Sequence, residues 1–573
     1  MLRHATPMDE FPFVTSYPSV ALEIPLAVTP RRPVAALELE ACQVTGCLAA
    51  AEGGLATSGG CARVLLDFGS EVVGWLSLVA EAAGAARLRL TYGEHADEAR
   101  RGEPSRVHFF TLQEDRFECP GGRCSFRSHG RRAFRYVQLS IESAHPVALT
   151  AISVAHQHAA VVRHGSFTCS DERLNRIWEL CRDTTLLCMQ NYYEDGIKRD
   201  GLLWIGDYRV QYLCNLGCFG DQRLARKSLA MIAASQRADG AIPACAGIGG
   251  GKQHPDVIDC MPGIPAWPER WILLNYMSDF LSGVREFALY SGEDVSEFLP
   301  AVRRALAFLL TQRDVTAETL QHHFISDDGL TPPDGIKPYR PMAALLAHLH
   351  WGLADGAALI EHADAALAAR CRARCAELRQ ELRARFSTPS GLLRDADDKD
   401  YIGWHANAAA VLAGMIEHPR VHLETLLACR DALKPEIGFL RFWILEALFT
   451  HGFHAEALQV IRRAWGAILD AGLGTCPESV RENAASYFTP RSPLSLCHGW
   501  SAGPAWLLPR HILGVRVLEP GWRAVAVRPT LCGLRHVCAV IPTPCGDLRI
   551  ESDGTHVHCA APEGMIVNTT LDR

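Results

Sequence analysis

Between residues 63 and 144 apolar and polar positions alternate with a period of two. The segments are RVLLDFG, ARLRLTYGE and RYVQLSIE, the last setting Val137, Leu139 and Ile141 against Gln138, Ser140 and Glu142. Alternation of this kind predicts strands with one face in a core, hence an antiparallel sheet or sandwich. After Ser170 the period lengthens: Leu174, Ile177, Trp178, Cys181 and Cys188 recur at helical spacing. Ser170 is the candidate N-cap there, with Asp171 and Glu172 in the first turn. Helical patterning continues to about Leu513. It includes residues 357–386, rich in Ala, Leu, Arg and Glu, and residues 455–469, where Leu458, Ile461, Trp465 and Ile468 share one face. Past Gly514 short strand-like runs return, AVAVRP, CAVIPTP and GDLRIE, separated by Pro and Gly. The order is β, then α, then β.

A chain of 573 residues accommodates two to four domains. No exact repeat is visible, which argues against a solenoid of near-identical units; a closed array of helix pairs is compatible with the length. Apolar residues at 48% and charged residues at 21% indicate a well-packed protein. Lys and Arg number 57 against 64 Asp and Glu, a net charge of −7, so there is no basic field to attract nucleic acid or anionic lipid. The first residues, MLRHATPMDEFPFVTSYPSV, lack the apolar core of a signal peptide, and no run of about 18 apolar residues is apparent. A cytoplasmic protein that neither enters nor crosses a membrane is expected. The 21 cysteines are scattered over every region, which fits reduced thiols. Cys42/Cys47, Cys119/Cys124 and Cys371/Cys375 are spaced poorly for zinc and are read as buried or incidental thiols.

Polar chemistry concentrates in two segments. In YYEDGIKRDGLLWIGDYRVQ, Asp195, Lys198, Arg199, Asp200 and Asp207 surround Trp204, and Gly196, Gly201 and Gly206 predict a loop on which side chains converge. A sugar site needs carboxylates for hydroxyls and protons and an aromatic surface for the apolar face of a pyranose; a solvated charged loop is the plain alternative. In AGLGTCPESVRENAASYFTPRSPLSLCHGWSAGP, Glu478 follows a Gly-rich break, whereas Glu482 beside Arg481 reads as a surface ion pair, so Glu478 is preferred. By chemistry alone His498 reads as a core histidine, and Trp267 and Trp271 in PAWPERW as core wedges.

The segment DGIKRDGLLWIGD resembles the catalytic-domain signature of glycoside hydrolase family 78, the bacterial α-L-rhamnosidases. LLDFGSEVVGW, LTYGE and FRYVQL resemble the family's preceding β-sandwich. FLRFWILEAL, IRRAW, GLGTCPE and SLCHGWSAGP are similar to the end of its helical domain, and PGW, VRPTLCGL and PTPCGDL to its closing β-domain. The resemblance runs from about residue 60 to 555. It implies a multidomain α plus β protein: an N-terminal β-sandwich over residues 1–160, a central (α/α)6 six-hairpin barrel over 161–513 and a small C-terminal antiparallel β-domain over 514–573. It also implies release of terminal α-L-rhamnose from rhamnose-containing oligosaccharides or glycosides by an inverting mechanism. In such a mechanism an acid and a water-holding base stand roughly 6.5–9.5 Å apart.

Carried over by position, Asp200 is the general acid and Glu478 the base. Asp195, Arg199, Trp204, Asp207 and His498 bind rhamnose, with Trp267 and Trp500 as further sugar-contacting aromatics. Many members carry Glu where this chain has Asp200, one methylene shorter. No cofactor is implied and no metal takes part in the chemistry; no Asp-x-Asp-x-Asp-Gly loop predicts calcium. A homodimer is left open. The rival readings are a six-hairpin enzyme acting on another sugar and a non-catalytic sugar-binding relative.

Overall fold

The computed structural model describes residues 17–101, 114–198, 201–246, 272–312, 342–397, 399–488 and 495–569. The first part is a ten-stranded sheet folded on itself. Its strands are β1 (Leu26–Arg31), β2 (Ala35–Glu40), β3 (Cys42–Thr45), β4 (Gly54–Thr57), β5 (Gly60–Ala82), β6 (Ala86–Gly93), β7 (Glu114–Cys119), β8 (Gly122–Arg127), β9 (Arg132–Ser143) and β10 (Val147–Ala159). The order β3-β4-β10-β5-β9-β6-β7 is completed by β1 on β10 and by β2 and β8 on β5. The long β5 serves several neighbours because its register against β9 shifts between Asp67 and Val72. Such a bulge bends a strand and re-aims its side chains. Val64, Leu66, Leu76, Leu88, Leu90, Val137, Leu139 and Ile141 fill the enclosed core. A short helix, α1 (Ala96–Arg101), follows β6.

The chain then crosses through β11 (Ser166–Cys169) into helices. These are α2 (Glu172–Cys188), α3 (Ile205–Cys218), α4 (Gln222–Ala234), α5 (Leu274–Ser291), α6 (Leu299–Thr311), α7 (Met342–Ile360), α8 (Ala365–Phe386), α9 (Trp404–Leu412), α10 (Pro419–Ala428), α11 (Gly438–Thr450), α12 (His454–Asp470) and α13 (Pro504–Ile512). Successive odd-numbered helices from α3 to α13 pack on one another, and α13 packs back on α3. The even-numbered helices pack outside them, α4 on α3 and α5, α8 on α7, and α12 on α11 and α2. Burial follows that division. Every residue of α3 is buried, as befits a helix surrounded by others, whereas α12 buries one stripe containing Leu458, Ile461, Trp465 and Ile468. Two short ladders lie between helices, β12 (Leu203–Trp204) with β13 (Cys245–Ala246) and β14 (Arg394–Ala396) with β15 (Lys399–Ile402); past α13, β16 (Val515–Glu519), β17 (Ala524–Val527) and β21 (Ile566–Thr569) form one sheet, and β18 (Val537–Thr543), β19 (Gly546–Ser552) and β20 (Val557–Ala560) belong to another.

Several expectations are corrected. The cap of α2 is Asp171, which accepts from the Arg173 and Leu174 amides; Ser170 instead accepts the Arg535 N–H. Residues 357–386 are parts of two helices, broken where Asp364 caps α8 through the Leu367 amide. The span 161–513 is not wholly helical, since β11 pairs with β18, nor is the C-terminal region wholly antiparallel, since β17 and β21 run parallel. By length and composition α7 could cross a membrane. It packs instead against α5, α6, α8 and α9 as a core helix.

Candidate active site

The site gathers where the odd-numbered helices begin. Trp204 caps α3 from a two-residue strand, β12 (Leu203–Trp204), which pairs with β13 (Cys245–Ala246). Asp207 lies in the first turn of α3, so Gly206, read as a loop residue, is helical. Its reason is proximity: a Cβ at Gly206 would lie 2.4 Å from the Tyr276 ring at the start of α5. No larger residue fits there without moving that ring.

The loop between α2 and α3 is pinned at its neck. The Asp195 amide donates to Leu202 O at 3.0 Å, Asp195 Oδ1 accepts the Leu202 N–H at 2.9 Å, and the Gly201 amide donates to Gly196 O at 3.0 Å. The segment ahead of α13 runs alongside. The Gly499 amide donates to Asp195 O at 2.7 Å, and the His498 amide to Cys476 O at 2.8 Å. His498 is thereby clamped between the two polar segments that the sequence singled out. Its ring lies between two buried carboxylates, Nε2 at 3.7 Å from Asp195 Oδ2 and Nδ1 at 3.5 Å from Asp207 Oδ1. Its face stacks on Trp500 with centroids 4.4 Å apart.

Trp500 ties this group to Glu478, its indole N–H donating to Glu478 O at 2.9 Å. The Glu478 amide donates to Ser495 O at 2.9 Å, and its carbonyl also accepts from the Gly438 amide at 3.3 Å. Glu478 is 4% exposed, so its side chain enters a largely desolvated environment. Glu482 pairs with Arg441 and Arg463, both at 3.5 Å, rather than with Arg481, which pairs with Glu436.

Aromatic rings continue the arc. Trp204 meets Tyr276 at 6.4 Å, Tyr276 meets Phe439 at 6.1 Å, and Phe439 meets Trp500 at 5.9 Å. Burial, then the charges of Asp207, Asp279 and Asp195, push the Tyr276 phenol well above its ordinary pKa, keeping it a neutral donor. Beneath the arc the Arg209 guanidinium packs against Trp351 and Trp443, 4.3 Å from each ring, and the two indoles meet edge to face at 5.2 Å. It also donates to Asp279 at 2.9 Å and Glu286 at 2.7 Å. Burial lifts Asp279 to about 7 although Arg209 opposes it.

Asp195, Asp207, His498, Trp500, Glu478 and Trp204 are therefore joined in one contact network. Asp200, Arg199 and Trp267 lie outside the described residues. Lys198 turns away to Glu94 and Glu98. Sequence reading missed Tyr276, Phe439, Trp351, Trp443 and Arg209. Each sits inside a helical pattern where an aromatic or Arg reads as core. Among the described residues no cluster of three or more His, Cys, Asp or Glu is arranged to hold a metal ion.

Carboxylates around a histidine, with an indole stacked alongside, suit a polyhydroxylated ring. Residues 162–280 match the model of the bacterial α-L-rhamnosidase six-hairpin glycosidase domain. No curated protein matches the chain in sequence. A family 78 rhamnosidase of Bacillus sp. GL1 superposes with a TM-score of 0.73 at 26% identity, covering 90% of this chain and 53% of its own. A rhamnosidase from Klebsiella oxytoca with rhamnose bound gives 0.71 at 25% identity, covering 87% of this chain and 98% of its own. The Streptomyces avermitilis α-L-rhamnosidase complexed with L-rhamnose gives 0.70 at 16% identity, a likeness of fold alone, covering 96% of this chain and 50% of its own. The chain spans about half the length of the first and last of these and nearly all of the second. Over residues 162–280 the chain thus resembles proteins carrying a six-hairpin glycosidase domain. The domain match and the two nearer structures support the resemblance to glycoside hydrolase family 78.

Proposed function

We propose that this chain hydrolyses terminal α-L-rhamnosides. The observation that carries the reading is His498 held between Asp195 and Asp207 and stacked on Trp500, which in turn holds Glu478. In this reading Asp195, Asp207 and His498 take the sugar hydroxyls, with Arg199 beside them, and the arc from Trp204 to Trp500 faces the apolar side of the ring. Trp267 is a further aromatic contact. Glu478 is the base that draws a proton from water, and Asp200, two positions beyond Lys198 in the chain, protonates the departing glycosidic oxygen. With the water attacking the face opposite the leaving group, the anomeric configuration inverts.

The architecture proposed with it is an (α/α)6 barrel flanked by the sandwich and the C-terminal sheets; the closed sequence of contacts from α3 round to α13 supports it. Cytoplasmic action on rhamnose-containing glycosides is part of the same reading, consistent with the free thiols among the described residues. Incubation with 4-nitrophenyl α-L-rhamnoside tests the activity. Release of nitrophenol that Asp200→Asn abolishes is expected; cleavage only of nitrophenyl glycosides of other sugars would replace rhamnose as the substrate.

A further inference from the structure

Glu94 stands just past the end of β6, in the sandwich, yet its carboxylate is spent on the two loops of the candidate site. Oε2 accepts the Leu496 N–H at 2.7 Å, and Oε1 accepts the Ser495 hydroxyl at 3.3 Å. Ser495 is the residue whose carbonyl receives the Glu478 amide at 2.9 Å. On the other side Glu94 Oε2 meets Lys198 Nζ at 2.7 Å, and Lys198 donates also to Glu98 of α1 at 2.8 Å. One buried carboxylate thus holds the Ser495–Leu496 segment behind Glu478 and the loop that follows Asp195.

The surroundings make that grip firm. The Glu94 side chain is fully enclosed and the Lys198 side chain only 8% exposed, so their attraction acts away from water. The Glu94 amide donates to Glu98 Oε2 at 2.9 Å, and a Cβ at Gly93 would lie 2.5 Å from the Ala99 amide, so the turn from β6 into α1 is tight. Nearby Glu71, in the β5 bulge, is pushed well up by burial and by Glu94, and Glu94 itself is pushed up by burial, which the Lys198 ammonium opposes. Two further sandwich arginines reach the same loops. Arg131 donates to Glu194 at 2.6 Å, next to Asp195, and Arg135 donates to Gly472 O at 3.3 Å, ahead of Glu478.

We propose that Glu94 is a positioning residue for the reaction, setting the two loops of the site relative to one another from the sandwich domain. The inference rests on the glycosidase reading for its kinetic consequence and on geometry alone for its structural one. Displacing a reacting group by about 1 Å costs on the order of 100-fold in rate, whereas Asp195, Asp207 and His498 have anchors of their own, in Leu202, the first turn of α3 and Cys476, so sugar binding depends on Glu94 less than the placement of the reacting groups does.

The test compares Glu94→Gln, Glu94→Asp, Lys198→Met and the double variant Glu94→Gln/Lys198→Met with the parent. Glu94→Gln is expected to lower kcat on nitrophenyl rhamnoside roughly 10- to 100-fold, with KM and rhamnose Kd within about threefold and Glu94→Asp recovering part of the loss. The double variant should be no worse than the worse single one, since both remove one interaction. Hydrogen exchange should quicken together in residues 190–203 and 473–482 and stay unchanged in α8. Loss of kcat with an equal loss of rhamnose binding and of Tm, or kcat within twofold of the parent with exchange unaltered, overturns the proposal. If the parent hydrolyses no glycoside, the glycosidase reading fails, and the exchange result alone decides whether Glu94 couples the loops.

Discussion

His498 shows how much a single residue's meaning depends on its neighbours. In the chain it lies between Cys497 and Trp500 and reads as core; in the fold it is core, 2% exposed, and is nonetheless flanked by two carboxylates. Buried charge of that kind persists only when partnered, so the cluster is either a costly structural device or a site for a polar ligand. The reading of Glu478 as base gives the sharpest prediction at this scale. Glu478→Gln should lower turnover by at least about 100-fold, in line with loss of a general base, while rhamnose binding measured by calorimetry stays within a few fold. A Gly206→Ala variant should force the Tyr276 ring aside, costing about 1–3 kcal/mol as overpacking does. A lowered Tm and a raised KM would register it. Asp195 and Glu478 stood out because Gly and Pro around them marked irregular backbone; Asp207 was picked out on the same sign, although Gly206 beside it proves helical. Tyr276 and Phe439 were not, because an aromatic at a helix start carries no sign of what it faces.

Among elements, the odd-numbered helices are joined by polar as well as apolar contacts. Arg209 of α3 reaches Asp279 and Glu286 of α5 while packing against Trp351 of α7 and Trp443 of α11. Removing one partner of a buried ion cluster leaves charge uncompensated and costs about 3–5 kcal/mol. Arg209→Met should therefore unfold at markedly lower denaturant, and adding Asp279→Asn and Glu286→Gln should restore most of the midpoint. A single variant as stable as the parent would contradict this account. The helix pattern itself was readable where one stripe is buried, as in α12, and where helices abut it was not. The break at Asp364 between α7 and α8 went unread although Glu361, His362 and Asp364 interrupt the Ala and Leu there. Strand β11 is four residues long and its partner β18 lies more than 360 residues away, a pairing that no local period can reveal.

For the whole molecule, buried histidines set the response to acid. Burial lowers His348 to about 3, and His156, His350 and His422 to about 4. These imidazoles stay neutral in the folded chain, while the unfolded chain takes up protons below about 6.5. The unfolded state then binds more protons, and stability falls as pH drops from 6.5 towards 4. Glu446, held at about 2 against burial by Arg510 and His511, adds a loss between its ordinary value and 2. Asp279, lifted to about 7, works the other way and offsets part of it. Calorimetry should show Tm declining steadily from pH 7 to 4.5, with a shallower decline in His348→Phe. A flat profile would contradict the burial described here.

The β, α, β order of domains was plain from the change of period. Which loops meet was not, because residues around 195, 207, 478 and 498 are brought together by helix packing and by backbone contacts between segments far apart in the chain. The sandwich's hold on both loops through Glu94 had no sequence mark either. The most direct measurement on the central claim is hydrolysis of 4-nitrophenyl α-L-rhamnoside followed by proton NMR from the first turnover. The account predicts rhamnose released with inverted configuration, before mutarotation mixes the anomers. Rhamnose released with the original configuration, or no rhamnose at all, would contradict it.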